Sequence, residues 1–549
     1  METPRQLFWR VARDIAEAEK TYPASTRLPD AARRFYDMMI RFDFLPNSPT
    51  LMNAGRPLQQ LSACFVLPVE DSLESILETV KYQALIHQSG GGTGFSFSRL
   101  RPRNDLVAST SGVASGPTSF MRIFNLTTDV IKQGGARRGA NMGILRVDHP
   151  DILDFITLKQ DQADMTNFNL SVGLTKPFME ALAHDVRYPL INPRTGKATQ
   201  RLPARLVFDR ITEAAWKTGE PGIVFLDHIN DANPTPQRGQ IEATNPCGEQ
   251  PLLPFESCTL GSINVSHFVT RESAEPAIDF PRLADTVALA VRFLDDVLDR
   301  NHYPLPQIAF ATSQTRKIGL GIMGFADLLI ELGLAYGSEE SLATADRLMR
   351  FIQTEAHRAS CRLGDLRGPF PAYRGSRLAE QGERRRHATV TTIAPTGTIS
   401  LIADCSPGIE PLYAVQTVRT VMDGTTLTAV HPRFRRLAQA ARLDLRRLNA
   451  ALDRTPSIRL LRWIPLPLRR LFVTAHDLSP EQHVRMQAVF QRYSDSGVSK
   501  TINLPAQATK QDIARAFLLA YELGCKGLTV FRTGSRAQQV LSCAKTQAC

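Results

Sequence analysis

The chain has 549 residues, of which 43% are hydrophobic and 22% charged, a balance that suits a globular protein with a large core and argues against a disordered or fibrous one. Met1 to Lys20 lacks the apolar run of a secretory signal, and no stretch reaches the roughly 18 apolar residues of a membrane span, so a cytoplasmic protein with no membrane partner is expected. A formal net charge of +11 would attract phosphate-bearing partners, but the basic runs at 384–386, 435–436, 446–447 and 469–470 are scattered and no nucleic-acid module accompanies them, so they are expected on solvated surface and no nucleic-acid partner is expected.

Residues 1–45 predict helices, with Phe8, Val11 and Ile15, then Phe35, Met38 and Met39, recurring at helical spacing. The Pro/Asn/Gly-punctuated stretch 46–55 opens a new region. From there short strand-like runs alternate with longer helical ones. Residues 63–67 precede a helix from Ser72 to about His87, and 142–147 precede a helix beginning near Pro150. The β-branched run 388–393 leads into Pro-Thr-Gly-Thr, and 527–531 form the last strand. This alternation predicts an α/β architecture, most simply a barrel. The Arg/Leu/Pro-rich stretch 433–471, which holds Trp463, is expected to be a surface helix and connection.

Eight cysteines in a cytoplasmic chain argue against a disulfide framework, and the absence of a CxxC pair argues against a closed metal site. Cys361, Cys405 and Cys525 sit in apolar or helical contexts and are expected to be inert core thiols.

Four motifs carry chemistry. The consecutive glycines of 90–94 let backbone N–H groups approach a ligand closely. The loop 132–141, with Arg137 and Arg138 among glycines, suits either a mobile segment that reads a nucleotide or a plain surface turn. Residues 394–400 (Ala-Pro-Thr-Gly-Thr-Ile-Ser) follow a predicted strand and offer a helix start to a phosphate, or simply a capped helix. In 245–249 (Asn-Pro-Cys-Gly-Glu), an extended loop tip would turn Asn245, Cys247 and Glu249 to one side. A carboxylate beside Cys247 raises its pKa, and no histidine lies near in sequence to act as a base. A neutral thiol for hydrogen-atom chemistry therefore fits better than a thiolate nucleophile. Cys258 follows eleven residues later.

Taken with Glu-Ser-Cys-Thr-Leu-Gly-Ser-Ile-Asn (256–264), Gly-Leu-Gly-Ile-Met-Gly-Phe-Ala-Asp (319–327) and Ser-Lys-Thr-Ile-Asn-Leu-Pro (499–505), these motifs resemble the large catalytic subunits of ribonucleotide reductases from about residue 40 to 536. The resemblance implies a ten-stranded α/β barrel with a central finger loop carrying a radical cysteine. The barrel would occupy 46–535, after a helical region at 1–45 and before a flexible cysteine-bearing tail at 536–549. By motif match, Cys247 is the transient thiyl radical, Glu249 the general base and Asn245 the amide that orients the ribose hydroxyls. Cys64 and Cys258 match the reducing dithiol. Ser48, Ala63, Cys64, Gly92, Pro246, Gly248 and the phosphate-binding group Pro395, Thr396, Gly397, Thr398 and Ile399 match substrate-binding positions. Asp71, Arg101, Lys132, Gln133, Arg137, Arg138 and Asn141 match the region where a deoxynucleoside triphosphate effector acts across a homodimer interface.

The resemblance also bears on the radical source. Thr529 and Val530 stand where relatives that use a diiron subunit carry adjacent tyrosines, and no C-terminal glycyl radical motif is found. Adenosylcobalamin is therefore the expected cofactor, ribonucleoside diphosphates the expected substrates, and thioredoxin or a similar dithiol the expected reductant. Cys543 and Cys549 are expected to shuttle electrons to the dithiol unless a second chain does so. No ATP-cone-like region precedes residue 40, so on/off regulation by ATP and dATP is not expected. The alternative is a catalytically inactive, basic nucleic-acid-binding relative.

Overall fold

The structure, a computed structural model, describes residues 2–542 apart from 108–111, 132–138, 162, 273–274, 421–425, 454, 456 and 536–540. Six helices frame the site: α1 (Pro4–Ala16), α2 (Ala31–Ile40), α3 (Leu73–Gln88), α4 (Pro117–Val130), α5 (Phe280–Arg300) and α6 (Glu339–Arg367). Thr3 and Gln6 form a capping box at the start of α1, which buries Phe8, Val11 and Ile15 in a core shared with Phe35, Met38 and Met39 of α2. That periodicity is what the sequence predicted. Both helices pack on α5.

The strands are β1 (Phe44–Pro46), β2 (Cys64–Leu67), β3 (Gly92–Ser96), β4 (Asn141–Arg146), β5 (Phe168–Leu174), β6 (Gly222–Phe225), β7 (Ala243–Thr244), β8 (Pro251–Leu252), β9 (Ser257–Asn264), β10 (Ile318–Met323), β11 (Thr501–Leu504) and β12 (Gly527–Arg532). A 10-stranded sheet runs β1-β9-β2-β3-β4-β5-β6-β12-β11, with β10 on the other edge of β9. The run β2-β3-β4-β5-β6 is wholly parallel. It meets a second parallel set antiparallel at both ends, through β9–β2 and β6–β12.

The regular ladder does not itself close. The segment 389–393 spans the gap: Leu320 bridges Thr391, and Ile393 bridges Val498, just ahead of β11. Hydrogen bonds from Leu320 N to Val390 O (2.7 Å) and from Ser499 N to Ile393 O (2.8 Å) hold it there. The run expected as a strand at 388–393 thus serves as a bridge. Alternation along the strands separates the two faces. Cys64, Val66, Met142, Ile144, Val224, Cys258 and Leu260 point inward, while Phe65, Leu67, Leu145 and Val172 join an outer core under the helices.

A buried ionic network ties the N-terminal helices to the barrel. Arg367 reaches Asp295 and Asp296, each at 2.6 Å, and Glu19 at 2.8 Å; Arg316 reaches Asp295 at 2.5 Å. Burial works against the Asp295 carboxylate, yet Arg316, His387 and Arg386 hold it well below its usual range. Asp296 is pushed well up by burial despite Arg367, with Glu19 and Asp295 adding to the rise. Here the expectation for 384–386 fails, because Arg385 and Arg386 are buried and Arg386 reaches Asp295 at 3.2 Å.

Three further expectations shift. The N–H groups of Gly90, Gly91 and Gly92 donate to His87, Ile86 and Ala63 carbonyls, so they are not presented to an anion. Among the expected core thiols, Cys525 is buried, whereas Cys361 and Cys405 are half-exposed. The stretch 433–471 forms short helices that bury Phe434, Leu448, Leu452 and Leu468, with Arg447 stacked 4.5 Å from the Trp463 ring. Among the described residues, no helix is long and apolar enough to cross a membrane.

Candidate active site

Residues 245–250 are the tip of a hairpin in which Ala243 faces Leu252 and Thr244 faces Pro251. Asn245 closes the tip twice: its N–H donates to Gln250 O (3.1 Å), and its side-chain oxygen accepts from Gln250 N (2.9 Å). Gly248 sits at φ +80°, a left-handed conformation that favours glycine, so the tip turns and is not an extended run. Asn245 and Glu249 are buried as a result, while Cys247 is exposed.

The barrel grips this hairpin from both sides. At Gly94 an added Cβ would overlap the Thr244 carbonyl, and at Gly92 it would press on the Pro246 ring at 3.0 Å. Across the barrel, a Cβ on Gly497 would lie 2.8 Å from Gly248 O. Gly497 N donates to Glu249 O (2.7 Å), the Thr392 hydroxyl to the same oxygen (3.0 Å), and the Asn169 amide to Pro246 O (2.8 Å). These glycines serve close backbone approach.

Strand register brings the other thiols to the tip. Cys64 of β2 pairs with Cys258 of β9 on one side and Gly92 of β3 on the other. Directly opposed antiparallel residues have Cα atoms about 4.5–5.5 Å apart, within the span a disulfide needs. Both thiols are reduced in this structure. The Asn245 amide donates to Cys64 Sγ at 3.2 Å. Burial pushes the Cys64 thiol well up, followed by Glu249, Cys258 and Cys247, with the Asn245 hydrogen bond partly offsetting them. Cys258 is raised in the same way, by burial and then Glu249. Both are therefore neutral S–H groups at neutral pH, suited to giving up hydrogen.

Cys247, Pro246 and Gly248 line a cavity of about 960 Å³, together with Pro395, Gly397, Lys500, Thr529 and Val530. Of the expected phosphate group, Gly397 and Thr398 are exposed, while Ile399 joins the core. The Thr396 hydroxyl accepts from Gly408 N at 2.7 Å, so it is engaged within the chain. Ser48 is half-buried at the start of the short helix Ser48–Asn53, and Ala63 is buried beside Cys64.

Asp71 and Arg101 come together as an ion pair at 2.8 Å. Asn141 does not reach the surface: it is fully buried, bonded to Gln83, Thr93 and Thr128. Lys132, Gln133, Arg137, Arg138, Cys543 and Cys549 lie outside the described residues. The backbone of Leu541–Ser542, ahead of the tail thiols, pairs with the strand Gln416–Thr420.

Two ion pairs with a buried lysine near the site were not foreseen. Lys317 meets Glu256 at 2.6 Å, and Lys500 meets Glu410 at 2.8 Å. Lys500 and Glu256 stand inside recognised motifs, but only the fold shows that their charges are buried.

A ten-stranded α/β sheet, bridged at its gap by residues 389–393 and wrapped around a hairpin whose thiol stands near two buried thiols, is the class of architecture on view. Residues 62–531 match the ribonucleotide reductase barrel domain, and residues 1–59 match the ribonucleotide reductase all-alpha domain. The chain belongs to the ribonucleotide reductase family. It is 54% identical over 510 residues to the vitamin B12-dependent ribonucleoside-diphosphate reductase of Thermoplasma acidophilum, covering 93% of this chain and 66% of that protein. To the protein of the same name from Mycobacterium tuberculosis it is 49% identical over 545 residues, covering 99% of this chain and 78% of that one. The fold matches the Actinobacillus ureae class Id ribonucleotide reductase alpha subunit with a TM-score of 0.79 at 22% identity, over 96% of this chain and 93% of that one.

Proposed function

We propose that the protein reduces ribonucleoside diphosphates to 2′-deoxyribonucleotides by thiyl-radical chemistry, with adenosylcobalamin as the radical source. The observation that carries this reading is the convergence of Cys64, Asn245, Glu249 and Cys258 around a hairpin tip whose Cys247 lines the cavity. Binding alone, as in an inactive nucleic-acid-binding relative, needs no such set of thiols.

The cavity fits a bulky, partly apolar cofactor, because Met142, Val224, Leu412, Tyr413 and Val530 wall it and Cys247 opens into it. Tyr413, His431 and Val530 are among the residues that would hold the cofactor. What adenosylcobalamin supplies when bound is a cobalt–carbon bond that breaks homolytically. Cys247, as a thiyl radical that has lost its S–H hydrogen atom, would take the 3′-hydrogen of the ribose and later return it. Glu249 accepts the 3′-hydroxyl proton as the 2′-hydroxyl departs as water, and Asn245 holds both hydroxyls. Cys64 and Cys258 give up two hydrogens and become a disulfide, so ribonucleotide plus dithiol yields deoxyribonucleotide, water and disulfide. The names of the relatives, and Thr529 and Val530 in place of a tyrosine pair, support cobalamin over an iron partner.

A second copy of the chain is the proposed partner at α3 and α4, which pack together and expose Leu73, Leu77, Leu126 and Val130. The Asp71–Arg101 pair and the loop 132–141 would read a deoxynucleoside triphosphate effector there. Cys543 and Cys549 would carry electrons from a thioredoxin-like protein, in a cytoplasmic setting. The test is direct: purified protein with adenosylcobalamin, a small dithiol and CDP should yield dCDP. No dCDP, or activity that needs an added iron protein and ignores the cobalamin, would refute the proposal.

A further inference from the structure

Lys317 stands immediately before Ile318, whose register partner in β9 is Thr259, so it neighbours Cys258 as Cys258 neighbours Cys64. Residues paired across adjacent strands turn to the same face. Gly92, Cys64, Cys258 and Lys317 therefore form one row across the inner wall. The Lys317 ammonium is fixed by Glu256 at 2.6 Å, with the two side chains 1% and 2% exposed. Glu256 is held in turn by the Thr315 hydroxyl and Leu253 N, both at 2.8 Å. A buried pair of this kind contributes little net stability by itself.

The surroundings of the two sulfurs differ. Glu249 bears on both. Cys64 is itself buried but lies against the hairpin tip, where the Asn245 amide donates to its sulfur and Cys247 opens on the cavity. Cys258 is wholly buried and has Lys317 as its cation, with Glu256 opposing. In thiol–disulfide exchange the sulfur that leaves is the one better stabilised as a thiolate, and the sulfur attacked is the one within reach.

We propose that Lys317 is a positioning residue that makes Cys64 the attacked sulfur and Cys258 the leaving sulfur when the Cys64–Cys258 disulfide is re-reduced. This rests on the dithiol role given above. The thiolate of an external dithiol bonds to Cys64 Sγ, and the Cys64–Cys258 bond breaks. Its electron pair goes to Cys258 Sγ, held as a thiolate beside Lys317 until a proton arrives from solvent. The second thiol of the reductant then attacks the mixed disulfide and loses its proton, and Cys64 is released and protonated. The reductant ends as a disulfide, and the pair ends as two thiols.

The disulfide can be formed with diamide, so the test does not depend on turnover. The oxidised full-length protein is treated with 2-mercaptoethanol, quenched with N-ethylmaleimide, and peptide-mapped by mass spectrometry. Mercaptoethanol is expected on Cys64 and maleimide on Cys258. In Lys317→Met, reduction should slow by about 10-fold or more and adducts should spread over both cysteines, while Lys317→Arg keeps the wild-type pattern. The double variant Glu256→Gln/Lys317→Met leaves no lone buried carboxylate, and it should lose the selectivity with native circular dichroism. Mercaptoethanol on Cys258 in the wild type, failure of diamide to link the pair, or unchanged rate and selectivity in the double variant would each overturn the proposal. Absence of the same disulfide after turnover with CDP would count instead against the proposed reaction.

Discussion

In the proposed reaction Cys247 is asked to do something that only sulfur does readily. In Cys247→Ser the shape is nearly kept, but the O–H bond is too strong to yield a usable radical. The expected outcome is no detectable dCDP with CDP binding unchanged by calorimetry, and any steady product formation would remove Cys247 from its role. Cys64→Ser and Cys258→Ser should still permit initiation but stop repeated turnover, read as product per enzyme in a time course. These three side chains, with Asn245 and Glu249, were legible in the sequence as candidates, because each sits in a short motif whose chemistry is local. Lys317 was not, because nothing near it in sequence says that β9 and β10 pair at Thr259 and Ile318 and so set it beside Cys258. Asn141 erred in the other direction: it adjoins a loop suited to nucleotides, yet its amide is spent inside on Gln83, Thr93 and Thr128.

The hairpin 243–252 depends on glycines contributed by its neighbours. Gly94→Ala forces a methyl into the Thr244 carbonyl, and Gly497→Ala forces one against Gly248 O. Overpacking of this kind costs about 1–3 kcal/mol and moves backbone. Since the tip carries Cys247, activity should fall far more than stability, by roughly 100-fold or more if the thiol shifts by about 1 Å. Comparing kcat with the thermal midpoint separates the two effects. At α3 and α4, Leu77→Asp with Leu126→Asp should turn a dimer into a monomer in analytical ultracentrifugation, and a monomeric wild type would remove the proposed interface. The glycines of 90–94 were visible as a motif, but their purpose was not: Gly91 would collide with Ile86 and Phe65, and Gly94 with the hairpin. Composition shows that a backbone must come close, and only the fold shows to what.

Across the whole molecule, buried charge decides how it responds to substitution and acid. The Arg367 side chain is fully buried against Asp295, Asp296 and Glu19, so Arg367→Met should destabilise by about 3–5 kcal/mol, measured by urea unfolding. His87 is fully buried, and burial lowers its pKa from 6.5 to about 4; burial also lowers those of His387 and His483. Below pH 6.5 the unfolded chain takes up these protons and the folded one does not, so stability is lost as pH falls toward 4. His87 alone contributes about 3 kcal/mol to that loss. The thermal midpoint should drop steadily from pH 7 to pH 4.5, and a flat profile would contradict it. The alternation of strands and helices made the barrel readable from sequence. Its two parallel halves, and the bridge 389–393 that joins β10 to Val498, were not, since both depend on pairings between distant segments.

The grip on the hairpin also sets an order of birth. The ribosome makes residues 243–252 with Gly94 already present but Gly497 still about 250 codons away. Until that glycine emerges, Glu249 O lacks its Gly497 N–H donor and the wall opposite the tip is missing. A nascent chain therefore carries Cys64, Cys247 and Cys258 long before the fold can set them together. Such late closure by non-local contacts is slow and leaves apolar surface open meanwhile. Chains stalled before residue 497 should have reagent-accessible Cys64 and Cys258, and completing translation should protect them both.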